Sequence, residues 1–125
     1  MWGAALHDRA TGVHRPLEAT LLWLEAETPA AGQPQIIMSL DHCILDAAEM
    51  MNIRESIASA TGVPLGNIQV ALSHTHGSGW MSRSRSHLPG GEMIGPYLDQ
   101  LAVRLLQLAE EARARVEAVS IVYGT

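Results

Sequence analysis

Asn67-Ile68-Gln69-Val70-Ala71-Leu72-Ser73, followed at once by His74-Thr75-His76, is the stretch on which the fold turns. It is apolar, carries β-branched weight and is too short for a helix, so it reads as a strand. Gly62 and Pro64 break the chain before it, and Gly77 opens a loop after it. Upstream, Asp46 with Glu49 three residues later resembles a capping box, with Asp in the Ser/Thr place. A helix should run from there to Thr61, with Met50, Ile53, Ile57 and Ala60 on one face. Before it, Gln35 to Leu40 is a short apolar run expected as a buried strand.

Further out, residues 26–34 hold two prolines and a glycine and read as a loop. Residues 17–25 read as a strand, expected to pair antiparallel with 35–40 because the two are close in sequence. Residues 1–16 look irregular. Downstream, 77–91 is a long glycine-rich loop with Pro89, and loops of this length tend to be functional or disordered. Pro96 suits the first turn of a helix ending near Arg115. Its apolar stripe is Leu98, Leu101, Ala102, Leu105, Leu108, Ala109 and Ala112. Residues 118–123 read as a last strand. The order is β-β-α-β-α-β, an α/β fold with a mixed, mostly parallel sheet and helices packed on it, in a single domain spanning 1–125.

Composition sets outer bounds. The 125 residues suffice for one domain, and 47% of them are hydrophobic, enough to bury a core. A formal net charge of -5 argues against nucleic acid as a partner, because binders of the phosphate backbone carry basic stripes. No apolar run approaches the ~20 residues of a membrane span. Residues 1–9 lack the basic-then-apolar layout of a signal peptide. Cys43 is the sole cysteine, so no internal disulfide can form. It reads first as a buried structural thiol; a nucleophilic role would need a neighbouring base that the local sequence does not supply.

Strand direction locates the chemistry. Strands joined by crossover helices end at one edge of the sheet, where open α/β sheets place their ligands. Strand 35–40 ends at Asp41-His42, strand 67–73 at His74-Thr75-His76, and the last strand at Tyr123. The first strand runs the other way and starts at this edge, just after His14. If the central strand persists through His74 and His76, both side chains leave the same face and can reach one metal ion or one polar substrate group. Zinc accepts imidazole nitrogen, and a catalytic zinc site needs about three protein ligands plus water. Asp41, His42 and His14 are candidates to complete the set. The plainer roles are turn capping for Asp41 and His42, and a surface turn for His14. In the loop, Arg83 and Arg85 are solvated charges or contacts to an acyl carbonyl or anionic group, and Trp80 covers an apolar substrate or anchors the loop. Tyr97 and Tyr123 read as packing residues with solvated hydroxyls. His7 and His87 have no evident partner.

Several segments together resemble the N-terminal domain of the neutral/alkaline non-lysosomal ceramidase family, especially its shorter bacterial members. They are Gly12-Val13-His14-Arg15-Pro16-Leu17, Met38-Ser39-Leu40-Asp41, Thr61-Gly62-Val63-Pro64 with Asn67-Ile68, Ser73-His74-Thr75-His76 and Pro96-Tyr97-Leu98. Order and spacing agree over most of the chain. The resemblance implies the N-terminal part of a larger zinc hydrolase domain of lipid (sphingolipid) metabolism. Its substrate would be ceramide, or a related N-acyl lipid or small amide, with a substrate presented at a membrane surface among the options. It further implies that His74 ligates Zn2+ and that His76 acts catalytically beside it, touching substrate or the developing oxyanion. The remaining family ligands, a His, a Glu and a Tyr, lie far downstream of the residues matched here. After the histidines this chain continues Gly77-Ser78-Gly79, where the family has Ser-Gly-Pro.

Two other His-x-His families fit less well. Metallo-β-lactamase-type hydrolases continue x-Asp-His, but Ser78 and Gly79 stand at those positions. Amidohydrolase barrels need a much longer helix-strand series. The reading from a different class is a non-catalytic folded remnant, or a domain completed by a partner chain, without stable metal binding.

Overall fold

The computed structural model describes residues 10–124. Its main sheet has three strands: β1 (Ala19–Leu24), β2 (Gln35–Leu40) and β4 (Ile68–Leu72), in the order β1-β2-β4. β1 pairs antiparallel with β2 in a register that sets Ala19 opposite Leu40, and β2 pairs parallel with β4, with Leu40 opposite Leu72. A second, two-stranded parallel sheet joins β3 (Ile44–Leu45) to β5 (Trp80–Met81). Helix α1 (Ala47–Thr61) links β2 and β3 to β4, and α2 (Ile94–Ala114) follows the long loop. The fold is α/β with a mixed, mostly parallel sheet and helices packed on it, as the sequence pattern requires.

Both helices lie on one face. Ile36, Met38 and Leu40 of β2 join Trp23, Ile68, Ile53, Ile57, Leu98, Leu105 and Ala109 in a single apolar cluster. The intervening residues of β2, Gln35, Ile37 and Ser39, face outward, and Ile37 keeps 42% of its surface exposed. β2 is therefore half buried instead of buried on both sides, and its period-two alternation follows from cover on one face alone.

α1 starts and stops where expected, but not by the expected device. Asp46 is the N-cap residue, yet its side chain makes no capping hydrogen bond. Its Oδ1 accepts from Trp80 Nε1 at 2.7 Å, and the Glu49 carboxylate accepts from Arg83. The capping box is thus dismantled by the loop, which recruits both carboxylates. On the inner face Ile53 and Ile57 are buried and Met50 is half-buried, but Ala60 is exposed. Gly62 ends the helix in the left-handed conformation (φ 75°), its N–H donating to the Ala58 carbonyl, a position that favours glycine.

The strand expected at 118–123 is not formed. Residues 116–124 carry no regular structure, and Val119, Ile121, Val122 and Tyr123 are largely exposed. β propensity needs a cross-strand or same-face neighbour to act on, and these side chains reach none in the core. Tyr123 is accordingly neither a packing residue nor a member of the sheet edge. Among the described residues no helix is long and apolar enough to cross a membrane.

Candidate metal centre

The parallel register of β2 and β4 puts their carboxyl ends side by side, and the backbone then stitches the two exits together. Ser73 N–H donates to the Leu40 carbonyl at 2.9 Å, and His74 N–H to the His42 carbonyl at 3.0 Å. His42 N–H also turns back onto the Leu40 carbonyl at 2.8 Å. Cys43 N–H donates to the buried Ser78 hydroxyl at 2.8 Å, which ties the turn after β2 to the loop after His76.

The strand does not persist through the histidines. β4 ends at Leu72, and His74 takes a left-handed conformation with φ 57°, the sole non-glycine among the described residues with positive φ. For an L residue that conformation costs about 1–2 kcal/mol. The His74 backbone bond to His42 opposes the cost. His74 Nδ1, 3.2 Å from the Cys43 carbonyl, adds to that opposition in the tautomer that carries its proton there and leaves Nε2 as the ring's metal donor. Period-two alternation is therefore not what brings the rings together. The bend at His74 does so, leaving the His74 and His76 rings edge to face with centroids 5.5 Å apart.

The same bend turns His74 toward Cys43, whose sulfur lies 3.8 Å from Nδ1. Cys43, His74 and His76 each offer one ligand atom, and all of these lie within 4.8 Å of one another. Zinc–ligand bond lengths place tetrahedral donors about 3.3–3.6 Å apart, so the group would contract by roughly 1 Å around an ion, within the range of side-chain torsion. A thiol and two imidazoles are a donor set that suits zinc, and the group is close enough to coordinate a metal. Cys43 is buried, His76 half-buried and His74 exposed, so the cluster opens to solvent on the His74 side.

The other candidates fall elsewhere. Asp41 sits beside Glu18 just beyond the β1–β2 ladder, donating its backbone N–H to the Glu18 carbonyl at 2.9 Å and accepting from Glu18 N–H through its side-chain Oδ2 at 3.2 Å. His42 is 2% exposed and pairs through Nε2 with the Tyr97 hydroxyl at 2.8 Å, while its Nδ1 is buried with no hydrogen-bond partner. Burial holds the His42 imidazole below its ordinary pKa, outweighing the Asp41 backbone and carboxylate, which both favour the charged ring. Burial also pushes the Tyr97 phenol up, so its hydroxyl stays protonated and is bonded instead of solvated. His14 is exposed and, like Asp41 and His42, is not in the three-residue group. His7 lies outside the described residues. His87 Nδ1 contacts the Ser84 carbonyl at 3.0 Å.

The loop is anchored instead of free. Arg83 meets Glu49 of α1 and, at 2.6 Å, Asp99 of α2. It tethers the loop to both helices while staying exposed to solvent. Arg85 lies over the Trp80 ring at 4.8 Å, and Trp80 is held by Asp46. Cys43 is the member of the cluster that sequence reasoning missed. Its position directly after the Asp41-His42 strand exit was a usable signal, but the local sequence contains no hint that a histidine thirty-one positions away becomes its neighbour.

Among known proteins the chain matches no family model, no curated protein and no solved structure.

Proposed function

We propose that this chain is a zinc-dependent hydrolase domain whose metal is held by Cys43, His74 and His76. The observation that carries the reading is the convergence of one thiol and two imidazoles at the carboxyl edge of the sheet. Three protein donors with an open side is the donor count of catalytic zinc sites, whereas structural sites are closed by four. When bound, zinc would polarise a carbonyl and lower the pKa of water at the open position.

The residues themselves divide the work. Cys43 and His74 grip the ion from the two strand exits, and their backbone bonds fix those exits relative to one another. His76 takes the third ligand position in this reading, a change from the catalytic role that the family resemblance assigns to it. Trp80, stiffened by Asp46 and Arg85, offers an apolar surface with a cation beside it in the loop that leaves the site. That pairing suits a substrate with an apolar chain and a polar carbonyl. An amide of an N-acyl lipid, ceramide or a smaller N-acyl compound is the substrate class that the resemblance supports.

The test is hydrolysis of a panel of N-acyl amides, short-chain ceramides included, by protein carrying one equivalent of zinc. Turnover that is lost on chelation and in His74→Ala is expected. Metal held without turnover of any amide would reduce the site to a binding centre. Absence of metal uptake would leave a non-catalytic domain.

A further inference from the structure

We infer that Tyr97 is a positioning residue for the metal centre, acting through His42; the inference rests on the metal-binding reading of Cys43, His74 and His76. His42 occupies the hinge of the site. Its carbonyl accepts from His74 N–H at 3.0 Å, its own N–H turns onto Leu40, and the next residue is Cys43. Any shift of the His42 peptide therefore moves two ligands at once: the Cys43 sulfur directly, and His74 through the bond that helps hold its left-handed backbone.

The His42 side chain adds a further anchor to these backbone bonds. The ring is buried and has one hydrogen bond, from Nε2 to the Tyr97 hydroxyl at 2.8 Å, with the two rings stacked at 5.7 Å between centroids. Nδ1 makes no hydrogen bond of ordinary geometry and has only the nearby Asp41 backbone and carboxylate to favour its charged form, so the Tyr97 contact is the ring's one well-formed hydrogen bond. Tyr97 sits in the first turn of α2, which is pinned to the loop by Arg83 and Asp99. The phenol thus transmits the fixed position of α2 to the turn that presents Cys43. Groups one bond removed from metal ligands commonly set affinity in this way, by fixing the orientation of the donors.

The experiment uses the whole chain. Zinc affinity is measured by competition with a chelating dye, and donor geometry is read from the visible spectrum of the cobalt(II) form. Tyr97→Phe keeps the ring and removes the hydroxyl, and should weaken zinc binding about 10–100-fold and alter the cobalt spectrum. His42→Gln, whose amide can still meet the Tyr97 hydroxyl, should retain most of the affinity. Should Tyr97→Phe fold poorly, His42→Gln is compared with His42→Leu, and the same contrast is expected. Wild-type affinity and an unchanged cobalt spectrum in Tyr97→Phe (or in His42→Leu) would overturn the inference while leaving the metal site standing. Failure of the wild-type chain to take up zinc or cobalt would overturn both.

Discussion

The Cys43 sulfur lies 3.8 Å from His74 Nδ1 although the residues are thirty-one positions apart in the chain. The approach is a product of register. Leu40 and Leu72 are parallel partners, so the third residue beyond one and the second beyond the other leave neighbouring strand tips. Replacing either partner removes a donor. Cys43→Ser and His74→Ala should each weaken zinc binding by more than the roughly 10–100-fold cost of losing a group behind a ligand, as read by dye competition.

His42 gives the fold a specific acid sensitivity. Its folded pKa is lowered by burial, so below the ordinary value of 6.5 the unfolded chain takes up a proton that the folded chain resists. The contribution to stability is therefore full above that value and declines as pH falls toward the lowered pKa. In metal-free protein, denaturant midpoints should drop on acidification through this window. His42→Gln should flatten the drop. Equal pH slopes in the two proteins would show that His42 does not carry it.

Gly91 is buried where the loop approaches α2, and a Cβ there would overlap the Arg85 carbonyl and lie 2.8 Å from the Ser86 carbonyl carbon and oxygen. These are backbone atoms and cannot swing aside. Gly91→Ala should destabilise the protein by about 1–3 kcal/mol in chemical denaturation. Gly66→Ala, where a Cβ meets nothing within 4 Å, should not show that overpacking cost.

Adjacent residues of β2 test the one-sided cover of the sheet. Ile36 is 0% exposed and Ile37 42% exposed. Ile36→Ala should cost about 2–5 kcal/mol, and Ile37→Ala less than half of that. Equal losses, measured as shifts in denaturant midpoint at constant slope, would mean that the outer face of the sheet is covered in solution.

Where apolar period and breakers agreed, the fold was legible: Ile36 to Leu40, Ile68 to Leu72 and the stripe from Leu98 to Ala112 all fall on the expected elements. Propensity misled at 118–123, where apolar β-formers have no neighbour to pair with. Asp46 and Glu49 misled in another way. They have capping spacing, but Trp80 and Arg83, thirty-four residues further on, are the partners they meet. The same limit hid Cys43. Strand direction was enough to gather His42, His74 and His76 at one edge, but which of them share a centre depends on a left-handed turn at His74 that no local pattern announces.

The most direct test of a shared metal centre is the absorption spectrum of the protein titrated with cobalt(II). Binding by Cys43, His74 and His76 predicts a thiolate-to-cobalt charge-transfer band that saturates at one equivalent and is absent in Cys43→Ser. A titration that yields no such band in the wild-type protein, or the same spectrum in Cys43→Ser, would contradict the assignment of these three residues to one ion.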